Sequence, residues 1–306
     1  MTSAKLTNTK LKSGVLGWPV AHSRSPLIHG HWLQTHGIDG SYEKLAVAPE
    51  DFAAFVRAMP ARGFVGCNVT VPHKTAAFEL ADSADALATR LGAANTLVFS
   101  DGKITAYNTD GYGFLANIEA SLREAGENTS RKIDRKLDWQ NHPVLVLGAG
   151  GAARAIIAAL ADAGVPELRV ANRSADKVPP LAALCAAGSP SPTFTPVDWA
   201  AREDALAGCR LVVNTTSLGM TGQPPLDLSL DGLGTLNDDI PALVADIVYA
   251  PLQTTLLQRA ARAGHIVCDG LGMLLHQAVP GFEMWFGTRP QVTPALRDMV
   301  IADLEN

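Results

Sequence analysis

Residues 143–153 read PVLVLGAGGAA, an apolar run that leads directly into a glycine-rich turn and a small-residue segment. The turn contains Gly148-x-Gly150-x-x-Ala153, which satisfies the dinucleotide fingerprint G-x-G-x-x-G/A after a strand and at the start of a helix. Gly148 permits the tight turn, Gly150 lets a pyrophosphate approach the backbone, and Ala153 lets helix and strand pack closely. The N–H groups of the helix N-terminus then face the phosphates. The alternative is a packing turn that binds nothing, but the strand and helix around the motif favour the dinucleotide interpretation.

The sequence on both sides of this turn alternates short apolar runs with helical patterns, which is typical of α/β proteins with largely parallel sheets. From the turn onward we predict strands near 143–148, 167–171, 193–197, 210–214, 242–247 and 265–268. Before the turn we predict strands near 13–17, 41–47, 64–69, 94–99 and 103–107, and helices at 50–59 and from the mid-70s to about 90. Asp101-Gly102 is a strong hairpin signal between the last two of these strands, and Asp110 is placed to cap a further helix.

Residues 124–142 are polar, carry charges of both signs and interrupt this alternation. We interpret them as a surface linker or insertion, and therefore as a domain boundary. We expect a first domain over 1–123 and a second over 143–269, with the helical tail 270–306 packing back on the first. The length of 306 residues agrees with two domains.

The composition excludes several classes of protein. The net charge is −5 and no arm or patch of massed lysine and arginine occurs, so we expect no nucleic-acid binding. The four cysteines are isolated in sequence, which indicates free thiols of a reducing compartment and no Cys-x-x-Cys motif, and we expect no metal site. Residues 1–12 lack the apolar core of a signal peptide, and the apolar stretch 143–165 is interrupted by glycines and charges. We expect a cytoplasmic protein that does not enter membranes.

The end of the second strand after residue 143 indicates which dinucleotide is bound. Proteins that bind NAD commonly carry Asp or Glu at this position, where it bonds the ribose hydroxyls. This chain instead has Asn172-Arg173-Ser174, with Lys177 shortly after. A planar guanidinium matches phosphate oxygens, so the sequence favours NADP. The alternative is a solvated basic helix start.

Four polar clusters in the first domain each fall at the end of a predicted strand, where ligands bind in open α/β sheets. They are Ser23-Arg24-Ser25, Asn68 to Lys74, Asn95-Thr96 and Asn108-Thr109-Asp110. Each has a plainer interpretation, such as a helix start at Ser25-Pro26, a surface lysine or a helix cap. The nearby His22 and His73 are interpreted as loop or rim residues.

Taken together, these motifs resemble the shikimate dehydrogenase family. The matching segments, in the order the family has them, are SRSP (23–26), NVTVPHK (68–74), GAANT (92–96), NTDG (108–111), GAGGAAR (148–154), NRS (172–174), NTTSLGM (214–220), DIVYAPLQTTLL (246–257) and DGLGMLLHQA (269–278). The resemblance covers residues 13–287. It implies two α/β domains: an N-terminal substrate domain with a mixed, mostly parallel sheet, and a C-terminal Rossmann domain that binds NADP. It also implies that the last helices return to the substrate domain.

The resemblance implies the reversible NADPH-dependent reduction of 3-dehydroshikimate to shikimate. Lys74 and Asp110 would form the catalytic pair. Ser23 and Ser25 would bind the substrate carboxylate, and its hydroxyls and ring would meet Thr70, Asn95, Tyr249 and Gln277. The cofactor would be held at its phosphates by Gly148, Ala149, Gly150, Gly151 and Ala152, at its 2′-phosphate by Asn172, Arg173, Ser174 and Lys177, and at its nicotinamide end by Ile247 and Gly270.

These residue types suit the reaction. Reduction of a ketone leaves a developing alkoxide, which needs a proton and a nearby positive donor, and a lysine ammonium supplies both. We assign the proton to Lys74 and the orienting role to Asp110. Two alternatives stay open: a quinate/shikimate dehydrogenase that uses NAD, and a non-catalytic NADP-binding regulator, which is expected to lack the Lys/Asp pair. The sequence leaves open whether the protein is a monomer or a homodimer.

Overall fold

The computed structural model describes residues 10–127, 138–186, 190–234 and 241–305. The chain divides into two compact units. The first unit comprises Met1–Thr109 and Ala278–Asn306, and the second comprises Asp110–Gln277. No described helix is both long enough and apolar enough to cross a membrane.

The first unit is built on a six-stranded mixed sheet. Its strands are β1 (Leu11–Gly17), β2 (Gly40–Ala46), β3 (Gly66–Val69), β4 (Ser83–Ala84), β5 (Thr96–Ser100) and β6 (Lys103–Tyr107). Their order across the sheet is β2-β1-β3-β5-β6-β4, and only β5 runs antiparallel to its neighbours. Its helices include α1 (Ser25–Thr35), α2 (Phe52–Ala58), α3 (Lys74–Leu80) and α4 (Ala86–Leu91).

The turn between β5 and β6 confirms the predicted hairpin. Asp101 and Gly102 have φ values of 52° and 73°, the left-handed pair that a two-residue type I′ turn requires. The single helix expected to run to about residue 90 is wrong, because the short strand β4 divides it into α3 and α4. Asp82 exchanges hydrogen bonds with the backbone of Ile104, and Asp85 caps α4 by accepting a bond from the Ala88 N–H at 2.6 Å.

The second unit is a doubly wound parallel sheet. Its strands are β7 (Val144–Leu147), β8 (Glu167–Ala171), β9 (Thr193–Val197), β10 (Leu211–Asn214), β11 (Leu243–Asp246) and β12 (Ile266–Cys268). The order β12-β11-β10-β7-β8-β9 is that of a Rossmann sheet. All six strands are parallel, and the order in which the chain adds strands reverses between β7 and β10. Its helices include α5 (Asp110–Glu127), α6 (Gly151–Asp162) and α7 (Thr255–Arg262).

The division between the units differs from the predicted boundaries at 123 and 270. Helix α5 packs against α6 and β12 and so belongs to the second unit from Asp110 onward. Helix α8 (Gly270–Phe286) begins in the second unit and ends in the first, which also contains α9 (Pro294–Leu304). In the predicted linker 124–142, residues 124–127 complete α5 and Asp138–Asn141 form a short 3-10 turn, whereas 128–137 lie outside the described residues.

The C-terminal segment contributes to the core of the first unit through aromatic side chains. The indole N–H of Trp285 on α8 donates to the carbonyl of Leu97 at 2.9 Å, and Trp285 is buried. The Trp32 indole on α1 donates to the carbonyl of Gln291 at 3.0 Å. The predicted return of the last helices to the first domain is therefore confirmed by these contacts.

Candidate functional site

The sheet of the first unit brings the four polar clusters to one edge. Strands β1 and β3 are parallel neighbours, so both end there. Strand β5 is antiparallel to β3 and therefore begins at that edge, and β6 returns to it. The loops that follow β1 and β3 are joined by hydrogen bonds from the Thr70 N–H to the Leu16 carbonyl and from the Trp18 N–H to the Val71 carbonyl.

Ser23 and Ser25 lie on one tight turn at the start of α1. The backbone N–H of Ser25 donates to the Oγ of Ser23 at 3.3 Å, and the Ser23 N–H donates to the carbonyl of Val20. Ser25 is buried and Ser23 is half-buried. Two hydroxyls two residues apart on one turn are suited to a carboxylate.

Lys74 is the first residue of α3 and is half-buried. Its carbonyl accepts a hydrogen bond from the Ala94 N–H at 2.8 Å, which places the start of α3 beside the residue that precedes Asn95. Thr70, also half-buried, lies four residues before Lys74, and its methyl group packs so closely on Gly17 that a Cβ there would lie 2.5 Å away. The structure therefore places Thr70, Lys74 and Asn95 at the same edge of the sheet.

His73 lies on the loop before α3, as expected, but it is not an exposed rim residue. Its side chain is 2% exposed, its Nε2 lies 2.8 Å from the carbonyl of Val47, and its ring stacks on Phe52 at a centroid distance of 4.6 Å. His73 thus packs the loop against α2 immediately before Lys74. His22 is exposed on its loop, as expected.

Asn95 holds the residue that precedes Asp110. Its Oδ1 accepts a bond from the Thr109 N–H at 2.9 Å, and its Nδ2 donates to the Thr109 Oγ1 at 2.9 Å. Asn108 donates to the carbonyl of Ala93 at 3.0 Å, so two consecutive residues are tied to the segment before β5. Asp110 follows as the first residue of α5 and is buried.

The glycine-rich turn of the second unit lies at the point where the order of the parallel strands reverses. Gly148 has φ of +114°, and a Cβ there would collide with the Oγ1 of Thr215. Gly150 caps α6, and a Cβ at Gly150 or Gly151 would meet no atom within 4 Å. Ala153 is fully buried. The three roles predicted for the motif, a tight turn, an open approach and close helix packing, are matched by these observations.

The open space before Gly150 and Gly151 and the exposed start of α6 fit a dinucleotide pyrophosphate, since anions bind the N–H groups of a helix N-terminus. The cations predicted to read a 2′-phosphate follow β8, the strand beside β7. Arg173, Ser174 and Lys177 are exposed there, and Asn172 is half-buried with its Nδ2 donating to the Ser174 carbonyl at 2.9 Å. No acidic side chain occupies the end of β8.

Ile247 and Gly270 are in direct contact in the second unit. A Cβ at Gly270 would collide with the Ile247 carbonyl, so only glycine fits at the start of α8. Tyr249 is half-buried on the loop that follows β11. Gln277 is half-buried on α8, where its Nε2 donates to the Leu274 carbonyl, and its backbone packs against Gly113 of α5.

A buried polar pair, which the sequence analysis did not identify, supports this end of the second unit. Asn214 and Asp246 end β10 and β11 and bond each other, and the Asp246 carboxylate also accepts bonds from the Val248 N–H at 3.0 Å and the Thr254 hydroxyl at 2.7 Å. Burial raises the pKa of Asp246 to about 6, although the three hydrogen bonds act in the opposite direction. Asn214 begins the motif NTTSLGM and Asp246 begins the motif DIVYAPLQTTLL, both at strand ends, and this position could have identified the pair from the sequence.

Among the described residues, no group of three or more His, Cys, Asp or Glu is placed to hold a metal ion. A glycine-rich turn at the switch point of a parallel sheet is the dinucleotide site of a Rossmann unit, and a lysine at the polar edge of the other unit is a candidate proton donor. This combination suits a dinucleotide-dependent oxidoreductase. Residues 15–97 match the shikimate dehydrogenase substrate binding domain, 129–197 match the shikimate/quinate 5-dehydrogenase family, and 270–297 match the shikimate 5'-dehydrogenase C-terminal domain. The chain belongs to the shikimate dehydrogenase family.

Relatives and solved structures are similar to this chain over nearly its whole length. A shikimate dehydrogenase (NADP(+)) from Paramagnetospirillum magneticum is 55% identical over 291 residues, 95% of this chain and 98% of that one. A Thermus thermophilus shikimate 5-dehydrogenase, solved with NADP(H) and shikimate, is 32% identical with a TM-score of 0.76 and covers 96% of this chain and 99% of that chain. A Corynebacterium glutamicum quinate dehydrogenase, solved with NAD, is 29% identical with a TM-score of 0.81 and the same coverage.

Proposed function

We propose that this chain catalyses the reversible NADPH-dependent reduction of 3-dehydroshikimate to shikimate, a step of aromatic amino-acid biosynthesis. The observation that carries the proposal is the convergence of Ser23, Ser25, Thr70, Lys74 and Asn95 at one edge of the first sheet. The 55% identity to a shikimate dehydrogenase (NADP(+)) over almost the full chain supports the same substrate and cofactor.

Lys74 and Asp110 act as the catalytic pair in this proposal. As a ketone becomes an alkoxide, the Lys74 ammonium donates the proton and stabilises the developing negative charge. In the oxidation direction neutral Lys74 takes the proton back. Asp110 orients the amine, and the bonds from Asn95 to Thr109 hold the backbone that leads into it.

The substrate is held by hydrogen-bonding side chains at both ends of the ring. Ser23 and Ser25 bind the carboxylate through hydroxyls fixed on one turn. Thr70, Asn95, Tyr249 and Gln277 bind the ring hydroxyls or pack on the ring. Because the carboxylate anchors are separate from Lys74, binding and proton transfer depend on different residues.

The cofactor NADP is held by the second unit. Bound NADPH supplies the hydride. The turn Gly148, Ala149, Gly150, Gly151 and Ala152 receives the pyrophosphate. Asn172, Arg173, Ser174 and Lys177 surround the 2′-phosphate, with the Arg173 guanidinium as its main partner. Ile247 and Gly270, which touch, line the nicotinamide end.

We further propose that the protein acts in the cytoplasm. The four cysteines are free and buried, which suits a reducing compartment. We propose either a monomer or a homodimer, and light scattering on the purified protein would decide between the two.

The test is an absorbance assay at the nicotinamide band that crosses shikimate and quinate against NADP⁺ and NAD⁺. We expect the highest kcat/KM for shikimate with NADP⁺. A preference for quinate and NAD⁺ would replace this proposal with the quinate/shikimate alternative. NADP⁺ binding without turnover of either substrate would instead support the regulator.

A further inference from the structure

A chain of five buried polar side chains crosses the sheet of the first unit behind the substrate residues. Its members, none more than 9% exposed, are Tyr42, Asn68, Thr96, Asn95 and Thr109. Tyr42 comes from β2, Asn68 from β3 and Thr96 from β5, so the chain passes from one side of the sheet toward the strand ends that carry the site. Three of its members, Tyr42, Asn68 and Thr96, have been given no role so far.

The backbone carbonyl of Asn95 fixes the direction of the hydrogen bonds that the Asn68 side chain makes. Asn68 Nδ2 lies 3.2 Å from the carbonyl oxygen of Asn95, which can only accept, so this end of the Asn68 amide must be the donor. Its Oδ1 therefore faces the Tyr42 hydroxyl, 2.5 Å away, and Tyr42 must donate. The orientation of an amide, which is usually ambiguous, is settled here by its partners.

The hydrogen bonds between Asn68, Thr96 and Asn95 have fixed directions for the same reason. The Thr96 Oγ1 receives a hydrogen from Asn68 Nδ2 at 3.1 Å and can then donate its own hydrogen to Asn95 Oδ1 at 3.0 Å. The Thr109 N–H also donates to that Oδ1. The Thr109 hydroxyl also lies within donating distance of it, at 3.2 Å, so three donors converge on the oxygen of the Asn95 amide, and its nitrogen points to the Thr109 Oγ1. Asn95 can therefore meet a substrate hydroxyl only as a donor.

The far end of the chain is held by ring stacking. The imidazole of His29 lies parallel to the Tyr42 ring, with centroids 4.0 Å apart and planes 4° apart. His29 is fully buried, and neither ring nitrogen makes a hydrogen bond of ordinary geometry, although the ring lies close enough to the Asn68 side chain to interact with it. The imidazole therefore serves here as a flat packing surface, which fixes the plane of Tyr42 and directs its hydroxyl at Asn68.

We propose that Thr96 and Tyr42 are positioning residues for shikimate binding, which help Thr109 to hold the Asn95 amide with one N–H toward the substrate. This inference rests on the proposed function, in which Asn95 binds a ring hydroxyl. Neither residue touches the substrate in the proposal. Thr96 acts on Asn95 directly and Tyr42 acts on it through Asn68 and Thr96, while Tyr42 also interacts with the side chain of Ser25.

The test compares Thr96→Val with Thr96→Ser in steady-state assays of shikimate oxidation. Valine keeps the shape and removes the hydroxyl, so the Asn95 oxygen loses the Thr96 donor and keeps only the donors from Thr109, and the amide is held less firmly. We expect the KM for shikimate to rise about two- to tenfold, the range for one hydrogen bond. The kcat should stay within about twofold and the KM for NADP⁺ should not change, and Thr96→Ser should restore the wild-type KM.

Thr105→Val is the matched control, because Thr105 lies on β6 of the same sheet and its hydroxyl bonds Ser83, outside the chain. It should leave the KM for shikimate unchanged. An unchanged KM in a folded Thr96→Val protein would overturn the inference, as would equal effects of Thr96→Val and Thr105→Val. Tyr42→Phe provides a second variant if Thr96→Val fails to fold. It should shift the same KM in the same direction but less, and no shift would count against the chain.

A readout without turnover separates this inference from the proposed function. Hydrogen exchange of the Asn95 side-chain amide, followed by NMR, should be faster in Thr96→Val than in the wild type. Unchanged exchange would refute the positioning role even in an active enzyme. A wild type that turns over neither shikimate nor 3-dehydroshikimate would refute the proposed function, while faster exchange in Thr96→Val would still establish the orientation of Asn95.

Discussion

Asn214 donates from its Nδ2 to the Oδ1 of Asp246 across 2.9 Å and so joins the ends of two neighbouring parallel strands. The Asn214 Oδ1 accepts bonds from the N–H and hydroxyl of Thr216, and the Asp246 Oδ2 accepts a bond from Thr254, which caps α7. One buried amide–carboxyl pair therefore fixes two loops and the start of a helix. The loop after Asp246 includes Ile247 and Tyr249, both assigned to ligands in the proposal.

Asp246→Asn should change the pH dependence of stability. The folded pKa is about 6, against 3.8 for the ordinary carboxyl, so the folded state binds this proton more tightly. The stability that Asp246 contributes is present below pH 3.8 and is lost as the pH rises through 6. The free energy of unfolding of the wild type should therefore fall relative to Asp246→Asn by about 1.4 kcal/mol per pH unit across this window. Urea unfolding at pH 4, 5, 6 and 7 measures the difference.

Asp176→Asn, an exposed carboxylate of the same unit, is the control for loss of a charge alone. If the wild type and Asp246→Asn kept a constant difference from pH 4 to 7, the raised pKa of Asp246 would be refuted. Above about pH 7 the two curves should run in parallel, because Asp246 is then ionised in both states.

Gly148→Ala should lower stability, whereas Gly150→Ala should weaken NADP⁺ binding without lowering stability. At Gly148 the positive φ and the nearby Thr215 Oγ1 both oppose a Cβ, so we expect a loss of about 1–3 kcal/mol in the free energy of unfolding. At Gly150 the backbone is extended, with φ of −83°, and the Cβ enters open space. Gly150→Ala should therefore fold normally but bind NADP⁺ more weakly, which thermal unfolding and calorimetric titration would check.

Gly208→Ala serves as a control, since its φ of +75° imposes the backbone strain without a nearby ligand site. It should lower stability and leave the Kd for NADP⁺ unchanged. Wild-type affinity in Gly150→Ala would mean that the space before α6 does not receive the pyrophosphate.

Lys74→Ala should lower kcat by about 10²–10⁴-fold, the usual contribution of a positioned proton donor. The Kd for shikimate should change far less, because the proposal assigns the substrate carboxylate to Ser23 and Ser25 and not to Lys74. Asp110→Asn should act mainly through Lys74, so the double variant should lose less than the product of the single losses. Steady-state kinetics and equilibrium titration of the four proteins would measure this coupling.

The exposed Lys103, on β6 of the same unit, provides the matched lysine control. Its replacement by alanine should leave kcat unchanged. A Lys74→Ala enzyme with near-normal turnover would remove Lys74 from the catalytic pair, and fully multiplicative losses would mean that Lys74 and Asp110 act independently.

Local patterns in the sequence predicted most of the fold. Short apolar runs indicated the strands β7, β10, β11 and β12, and the strands β8 and β9, which mix polar and apolar residues, have the predicted limits 167–171 and 193–197. The short strand β4 escaped prediction because two residues carry no periodicity. The boundary between the two units at Thr109–Asp110 was not predicted either, because it depends on the packing of α5 against α6 and β12.

The polar clusters at the strand ends of the candidate site were predictable, but the buried hydrogen bonds behind them were not. Four polar clusters at strand ends indicated one ligand edge, because parallel strands end on the same side of a sheet. The bond from Tyr42 to Asn68 joins residues 26 positions apart, and the bond from Asn214 to Asp246 joins residues 32 apart. Such contacts depend on strand register, which the local sequence does not specify. His73 shows the same limit, since only the tertiary position of Phe52 and Val47 buries it.

Arg173→Ala tests the choice of cofactor. The 2′-phosphate distinguishes NADP from NAD at this site, and Arg173, exposed after β8, can meet it with two charge-assisted hydrogen bonds. Hydrogen bonds to a charged group are worth about 1.5–3 kcal/mol. At about 1.4 kcal/mol per tenfold, the substitution should weaken NADP⁺ binding by about 10- to 150-fold and scarcely alter NAD⁺ binding. The ratio of kcat/KM for the two cofactors, compared between wild type and variant, measures this directly.

Two further variants show whether charge alone explains the result. Arg262→Ala removes an exposed arginine from α7 of the same unit and should leave the cofactor ratio unchanged. Lys177→Ala should have a smaller effect than Arg173→Ala, and one that added salt reduces further, because an exposed ammonium acts as a screened point charge without the bidentate geometry of a guanidinium. If Arg173→Ala weakened both cofactors equally, or if the wild type preferred NAD⁺, the residues after β8 would not read a 2′-phosphate and the preference for NADP would have to arise elsewhere.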